Sequence, residues 1–544
     1  MNYITAEARI DNRTELIQSL QASQTTTDEE LILLAYETWG EECVKHLIGD
    51  FAFAIWDADR KRFFCARDHF GVKPFFYAHV GDSFIFSNNI NSLRQDPRVS
   101  DSLNETAIAD YLVFGLNQDP SSTTFRDIKR LPAAHSLTFA NNAITTRRYW
   151  TLEIPEAIRF RDDREYVERF NELLTAAVAD RLRTDRVTIS MSGGLDSTSL
   201  AAIAGELLDH KVHAVSNVYD DLIPDEERRY SNLAAEHLGI PITHINADRF
   251  TLFEGRHAYE LHQPEPFLIS PLSGQFNELL RTCAQYSRVM LTGYDGDAFM
   301  HEPTERVAAW ERFGVHNLRR SFVGVALRGH PMVDSFRKAV KRGRPKAGNL
   351  YPEWLDESFA KRTSLRERSP ETPIATNKHR PAAFSFFNSK VWTPLFEGYH
   401  HTSTRLDLDV RHPFIDVRLV EYLLAIPVAP WCVNKHILRV AMQSRLPATV
   451  LSRQKTPLAG DPALQLVRHA SVRWLDSFEV NPQLERFVNL KLRRPVADEE
   501  TSDALWASLR VFALNYWLTN SRPVDRRATE NQFNPNRAYQ TSIA

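Results

Sequence analysis

Arg186–Ser197 reads RVTISMSGGLDS, and the reading of the whole chain starts there. Arg186–Met191 is an apolar run of strand length, and the residues after the Gly-Gly pair have a helical pattern. A glycine turn between a strand and a helix lets backbone N–H groups approach an anion closely, and the helix N-terminus adds partial positive charge. Ser192, Gly193, Gly194 and Ser197 are therefore the candidate anion holders, with Ser190 and Leu195 flanking them. Asp196 would repel a bare phosphate, so its presence predicts a bridging Mg²⁺. A ligand-free Gly-Gly turn is the alternative. The stretch lacks the lysine of the G-x-x-x-x-G-K-[ST] loop and the spacing of G-x-G-x-x-G.

Outward from this turn, Tyr166–Arg183 carries apolar residues at helical spacing, Val212–Val218 reads as a second strand and Arg228–Leu238 as the next helix. Strand, helix, strand, helix at this spacing predicts a parallel sheet with helices on its faces. A second acidic turn, Leu291–Asp297 (LTGYDGD), comes after the apolar Val289–Leu291. Ligands of such sheets sit beyond the carboxyl ends of the strands, which would place Gly293 and Asp297 beside the first turn. Asp196 and Asp297 could then share Mg²⁺ ions on bound phosphates; a turn-forming Asp beside Gly is the other reading of Asp297. Val215 and Val218 are expected to line a base pocket.

The first 150 residues differ. Asp50–Ala58 (DFAFAIWDA), Phe63–Ala66, Pro74–His79 and Ser83–Ser87 alternate apolar with polar residues, as in an antiparallel sheet. Three segments result: residues 1–155, residues 160–525 with a mostly helical C-terminal part, and a loose polar tail, 526–544. The polar stretch 362–382 reads as a mobile connection, and the basic stretch Lys338–Lys346 as a solvated loop or a patch for a partner.

The chain has 66 Lys and Arg against 69 Asp and Glu, a net charge of −3, which excludes a strongly basic nucleic-acid or membrane-surface protein. No apolar run reaches the roughly 20 residues of a membrane span, and the N-terminus has no signal-like apolar core. Four scattered cysteines indicate neither a disulfide framework nor a zinc site. A cytoplasmic enzyme is expected.

Ser192–Ser197 resembles the pyrophosphate loop of ATP pyrophosphatases. Over nearly its whole length the chain resembles the asparagine synthetase superfamily: Leu47–Tyr77 is similar to its glutaminase-type domain, Arg411–Asp416 (RHPFID) to its R-x-P-F-L-D segment, and Lys435–Arg439 with Arg453–Lys455 to its lysine-bearing loop. The implied fold is an α+β glutaminase-like antiparallel domain followed by an α/β synthetase domain. Val218–Glu227, Gln263–Pro266 and Pro430–Lys435 resemble one branch, the lasso peptide macrolactam synthetases. That resemblance implies ATP and Mg²⁺ as cofactors, a precursor peptide as substrate, and a leader-binding protein and a protease as partners.

It also implies roles. Lys455 would contact the phosphates, unless it is a surface lysine; Lys435 would bind ATP or pyrophosphate, with Arg439 in a binding role beside it, unless both face solvent; Arg411 would orient substrate or AMP, or form an ordinary salt bridge. Tyr294 or Asp295 would assist proton transfer. The acidic cluster Asp220–Glu227 would meet a basic leader, or simply cap a helix.

Two departures stand out. Residue 2 is Asn2 where glutamine-dependent members carry a nucleophilic cysteine, and Ala8–Leu16 lies further inside the domain in relatives. The N-terminal domain is therefore expected to be degenerate, and either truncated at its front or preceded by further chain. Without a thiolate, glutamine cleavage cannot run. The second turn keeps only its first Gly and its Asp, which speaks against asparagine as product. Asparagine synthesis from free ammonia and a non-catalytic scaffold remain as alternatives.

Overall fold

Alternation along one strand organises the N-terminal domain. In β2 (Gly49–Asp57), Phe51, Phe53 and Ile55 point to one face and pack on helices Arg13–Leu20 and Asp28–Trp39, whereas Ala52 and Ala54 point to the other, against Phe75, Tyr77 and Phe84. β2 is flanked by β1 (Tyr3–Ile10) and β3 (Arg62–Arg67), and β7 (His135–Ala140) and β8 (Ala143–Arg148) complete an antiparallel five-stranded sheet. A three-stranded sheet, β5 (Ser83–Ser87), β4 (Phe76–Val80) and β6 (Ile128–Arg130), covers its second face. Helix Asp28–Trp39 starts at a capping box between Thr27 and Glu30. Strand β1 and both helices add to what the alternation pattern predicts.

The computed structural model describes residues 1–254, 263–266, 270–294, 296–300, 302, 351–368, 380, 383–384, 387, 389–454, 460–469 and 472–521. Asp295, Lys455, Lys338–Lys346 and the tail 526–544 lie outside the described residues.

The second domain contains the expected parallel sheet. Its order is β11 (Ile242–Asn246), β10 (Val212–Val218), β9 (Val187–Ser190), β12 (Val289–Thr292), β13 (Asp409–Arg411), every adjacent pair parallel. β9 is central, and Val187, Thr188 and Ile189 are buried, as a strand covered on both faces requires. Helix Asp163–Leu182 opens with a capping box between Asp162 and Glu165, and helices Leu195–Leu207, Glu227–Leu238 and Ser273–Tyr286 pack on the sheet. No described helix is long and apolar enough to cross a membrane. The 362–382 stretch departs from its reading as a mobile connection at its front: Thr363 and Leu365 are buried, and Tyr351 donates to the Leu365 carbonyl at 3.0 Å.

Buried charge joins the domains. Arg181 reaches Asp416 at 2.9 Å and Asp11 at 3.3 Å, with Asp50 at 4.0 Å, and Arg9 pairs with both Asp11 and Asp50. Arg67, fully buried, donates to the carbonyls of Lys73, Leu131 and Gly71 and pairs with Glu397 across the interface. Lys73 contacts Glu7 and Asp409, each at 3.0 Å.

Candidate active site

The two acidic turns lie side by side because β9 and β12 are neighbours. A side chain at Gly293 would place its Cβ 2.8 Å from the Ser197 backbone nitrogen, and one at Gly296 would sit 2.6 Å from the Asp196 carboxyl carbon. Glycine is required at both positions for the turns to meet. The first turn itself has Gly193 at φ +63°, with a would-be Cβ 2.7 Å from the Ser231 nitrogen, so left-handed backbone and lack of space both demand glycine there. Ser197, buried in the first turn of helix Leu195–Leu207, accepts from the Ser192 backbone N–H at 3.1 Å and so shapes the loop from within.

Asp196 is at the second position of that helix, where the partial positive charge favours a carboxylate. The Lys435 ammonium pairs with it. Lys435 is only 7% exposed and takes left-handed backbone, φ +57°, at the start of helix His436–Ala441, and its N–H donates to the Met300 carbonyl. The structure therefore brings Ser192, Gly193, Gly194, Asp196, Ser197, Gly293 and Lys435 together. Lys435 is buried, which removes the solvent-facing reading. Asp297 belongs to the short helix Gly296–Met300 beside Asp196.

Other expected residues are engaged elsewhere. The Val215 side chain is buried against helix Ser273–Tyr286, and its carbonyl accepts from Met191 N–H at 2.9 Å. Val218 is equally buried at the strand end. Arg411 pairs with Asp409 at 2.7 Å and donates to the Arg181 and Leu182 carbonyls, capping the C-terminal end of helix Asp163–Leu182. That satisfies its salt-bridge reading and leaves substrate orientation without geometric support. Ser190 ends β9 and Leu195 is buried beneath the turn. Tyr294 is 46% exposed and its hydroxyl accepts from Tyr399 at 3.0 Å. The acidic cluster is used locally: Asp220 pairs with Arg228, and Asp225 accepts from the backbone of Tyr219 and Glu227.

The lysine-bearing loop is held by two arginines whose roles the sequence left open. Arg439 donates to the Leu451 and Arg453 carbonyls. Arg453 in turn pairs with Glu227 at 2.8 Å, donates to the Ser192 carbonyl at 3.3 Å, and lies 4.3 Å above the Tyr230 ring. It thus ties the first glycine turn to helix Glu227–Leu238 and to the strand of chain leading to Lys455. Burial pushes the Glu227 carboxyl above its ordinary range, and Arg453 opposes that shift. Truncating such a partly buried ionic partner costs about 1–3 kcal/mol. Arg453→Ala should therefore raise KM for ATP about tenfold or more, with kcat falling less, and Arg453→Lys should not rescue it, because an ammonium lacks the guanidinium fork that reaches both Glu227 and the Ser192 carbonyl. Steady-state kinetics with ATP varied would check this; an unchanged KM in both variants would dismiss the positioning role.

In the N-terminal domain Asn2 accepts from the Ala58 N–H. Cys43 and Cys65 are both buried, and burial pushes the Cys43 thiol up to about 12 and Cys65 well above its ordinary value. Neither is a reactive thiolate.

A glycine turn at the carboxyl edge of a parallel sheet, an aspartate within it and a buried lysine on that aspartate define a nucleotide-dependent enzyme of the phosphate-turn type. Residues 169–519 match the asparagine synthase family and residues 5–150 a glutamine amidotransferase domain. The chain belongs to the asparagine synthase family and is an ATP-dependent, amide-forming ligase. Among its relatives, asparagine synthetase (glutamine-hydrolyzing) 3 of Bacillus subtilis (strain 168) is 28% identical over 483 residues, covering 82% of this chain and 73% of that protein. Asparagine synthetase (glutamine-hydrolyzing) 2 of the same organism is 26% identical over 500 residues, 84% of this chain and 62% of that protein. A putative asparagine synthetase of Methanocaldococcus jannaschii is 33% identical over 198 residues, 36% of this chain and 38% of that protein.

Proposed function

We propose that this ligase closes a macrolactam ring in a precursor peptide, joining the peptide's N-terminal amine to an Asp or Glu side chain. The observation that carries the reading is the glycine turn assembled around the buried Lys435–Asp196 pair, which suits activation of a carboxylate at bound phosphates. An amine carried by the substrate needs no glutamine. The sequence resemblances in Val218–Glu227, Gln263–Pro266 and Pro430–Lys435 support the same branch.

The substrate carboxylate attacks the α-phosphorus of ATP, giving an acyl adenylate and pyrophosphate; the amine then attacks the acyl carbon, AMP leaves, and the amine proton is released. Backbone N–H groups of the Gly193–Gly194 turn and the helix N-terminus hold the departing pyrophosphate. Lys435 keeps the negative charge of Asp196 compensated. Asp196 is a carboxylate at a helix N-terminus in the glycine turn, the oxygen donor a hard cation takes, and with Asp297 it would hold Mg²⁺. When bound, that ion neutralises phosphate charge. Lys455 would add a second cation at the phosphates. Holding amine and activated acyl group together replaces up to roughly 7–11 kcal/mol of entropic cost.

The relatives' printed names favour a second reading, asparagine formation. A pyrophosphate-release assay separates the two, comparing aspartate plus ammonia with a leader-free core peptide bearing an Asp or Glu several residues from its amine. Release that requires the peptide, with loss of one water from its mass, is expected. Release with aspartate and ammonia alone would overturn the proposal.

A further inference from the structure

Three neighbouring strands of the parallel sheet end at one level. Thr292, the last residue of β12, pairs with Ser190 at the end of β9, and Leu291 pairs with Arg411 at the end of β13, so His412 leaves its strand alongside Thr292. Ser190 leads into the first glycine turn and Thr292 into the second. There the Thr292 hydroxyl and the His412 Nδ1 lie 2.7 Å apart, a hydrogen bond between residues that are 1% and 2% exposed. Pro413 disfavours helical backbone at His412, which limits the directions its ring can take from the strand end.

The second turn needs such an anchor. Gly293 and Gly296 press against Ser197 and Asp196 but carry no side chain that could hold them there, and glycine backbone is conformationally loose. Among the described residues of the turn, Thr292 and Tyr294 have side chains that can fix it, and both lead to His412. Tyr399 donates to the Tyr294 hydroxyl at 3.0 Å and meets the His412 ring edge-on at 6.0 Å between centroids. Phe396, from the same helix Trp392–Tyr399, packs on that ring at 4.9 Å. Burial lowers the His412 pKa to about 4, so the ring is neutral near pH 7 and needs no counter-charge.

We infer that His412 is a positioning residue of the ligase: through Thr292 and Tyr399 it fixes the second glycine turn against the first, and so sets where Gly293 and Gly296 meet Ser197 and Asp196. It is not a catalytic residue, because it acts through its neighbours. The inference concerns the two turns and holds equally for a peptide or for aspartate as the acyl substrate. Misplacing a reacting group by about 1 Å can cost about 10²-fold in rate, so an anchor one residue from the turn matters to turnover.

The test uses the full chain with Thr292→Val and His412→Phe, each removing one half of the hydrogen bond, their double variant, and His412→Asn, which keeps a polar atom near the Nδ1 position. Amide hydrogen exchange without substrate, read by mass spectrometry, should rise about fivefold or more in peptides covering residues 291–294 of the first two variants, and stay near wild type elsewhere. The kcat of pyrophosphate release should fall about 10–100-fold, with KM for ATP changed less than about threefold because the first turn is untouched. Release is measured with whichever of the core peptide and aspartate plus ammonia supports it. The double variant should lose no more than either single one, since both remove the same contact, and His412→Asn should recover most of the rate. Unchanged exchange in residues 291–294, an unchanged kcat in both folded variants, or losses that multiply in the double variant would overturn the inference. A rise in exchange spread over the whole chain, with a lowered thermal midpoint, would also overturn it and make His412 a packing residue only. The exchange result is independent of the acyl substrate, so failure of the peptide reading leaves it standing.

Discussion

Asp196→Asn should lower the rate of ATP-dependent pyrophosphate release by about 10²-fold or more, with the fold intact. The position of the carboxylate is the reason. It is in the first turn of helix Leu195–Leu207, pressed against Gly296 and paired with a Lys435 that is 7% exposed. Asparagine retains the shape and one acceptor for Lys435 but removes the charge. Loss of one preorganised electrostatic group at a reacting centre costs about 10²–10³ in kcat. Pyrophosphate release under saturating ATP and peptide would measure it, with a thermal melt as the folding control. A rate close to wild type would separate Asp196 from the chemistry and leave it as a partner for Lys435 only.

Arg181→Ala should produce the largest loss of stability, about 3–5 kcal/mol, the usual result of removing one member of a buried ionic set. Arg181 is 2% exposed and reaches carboxylates from both domains, Asp11, Asp50 and Asp416. Arg9 and Arg418 would still compensate part of that charge, and three buried carboxylates would otherwise face each other. Denaturant unfolding of wild type and variant would give the difference; an effect under about 1 kcal/mol would mean that the flanking arginines suffice.

The same set makes stability depend on pH in a defined direction. Burial alone would raise the Asp416 carboxyl, but Arg418 and Arg181 outweigh it and hold it far below the ordinary range; Asp409 is lowered likewise beside Lys73 and Arg411. A carboxylate depressed in the folded state stabilises above its unfolded pKa of about 3.9 and loses that contribution as pH falls. Thermal melts should therefore fall steeply below about pH 4, and the slope should be shallower in Arg181→Ala, which has less of the shift to lose.

The elements are legible where one local rule governs them. Alternation in Asp50–Ala58 marks a sheet with two different faces, and the structure fills them with helices on the Phe51 side and a second sheet on the Ala52 side. The glycine turn is legible because Gly193 needs left-handed backbone whatever surrounds it. Val215 is ambiguous in the sequence because its apolar character suits a base pocket and a core equally; the packing of helix Ser273–Tyr286 onto β10 is what buries its side chain. Arg411 is undecided in the sequence for a similar reason: an arginine beside a proline says nothing of the helix end it binds.

By itself, then, the sequence determined the strand–turn–helix of the first glycine turn, the parallel sheet carrying it and the antiparallel domain before it, because each rests on contacts between near neighbours in the chain. Tertiary structure decided everything that depends on strand order and domain contact. It set β12 beside β9, so that Gly296 meets Asp196, and it brought Lys435, 239 positions away in the chain, onto that aspartate. It also set the His412 imidazole on the hydroxyl of Thr292, 120 positions away. Such pairings arise from burying charge and apolar surface between segments far apart in sequence, and no periodicity within either segment records its partner.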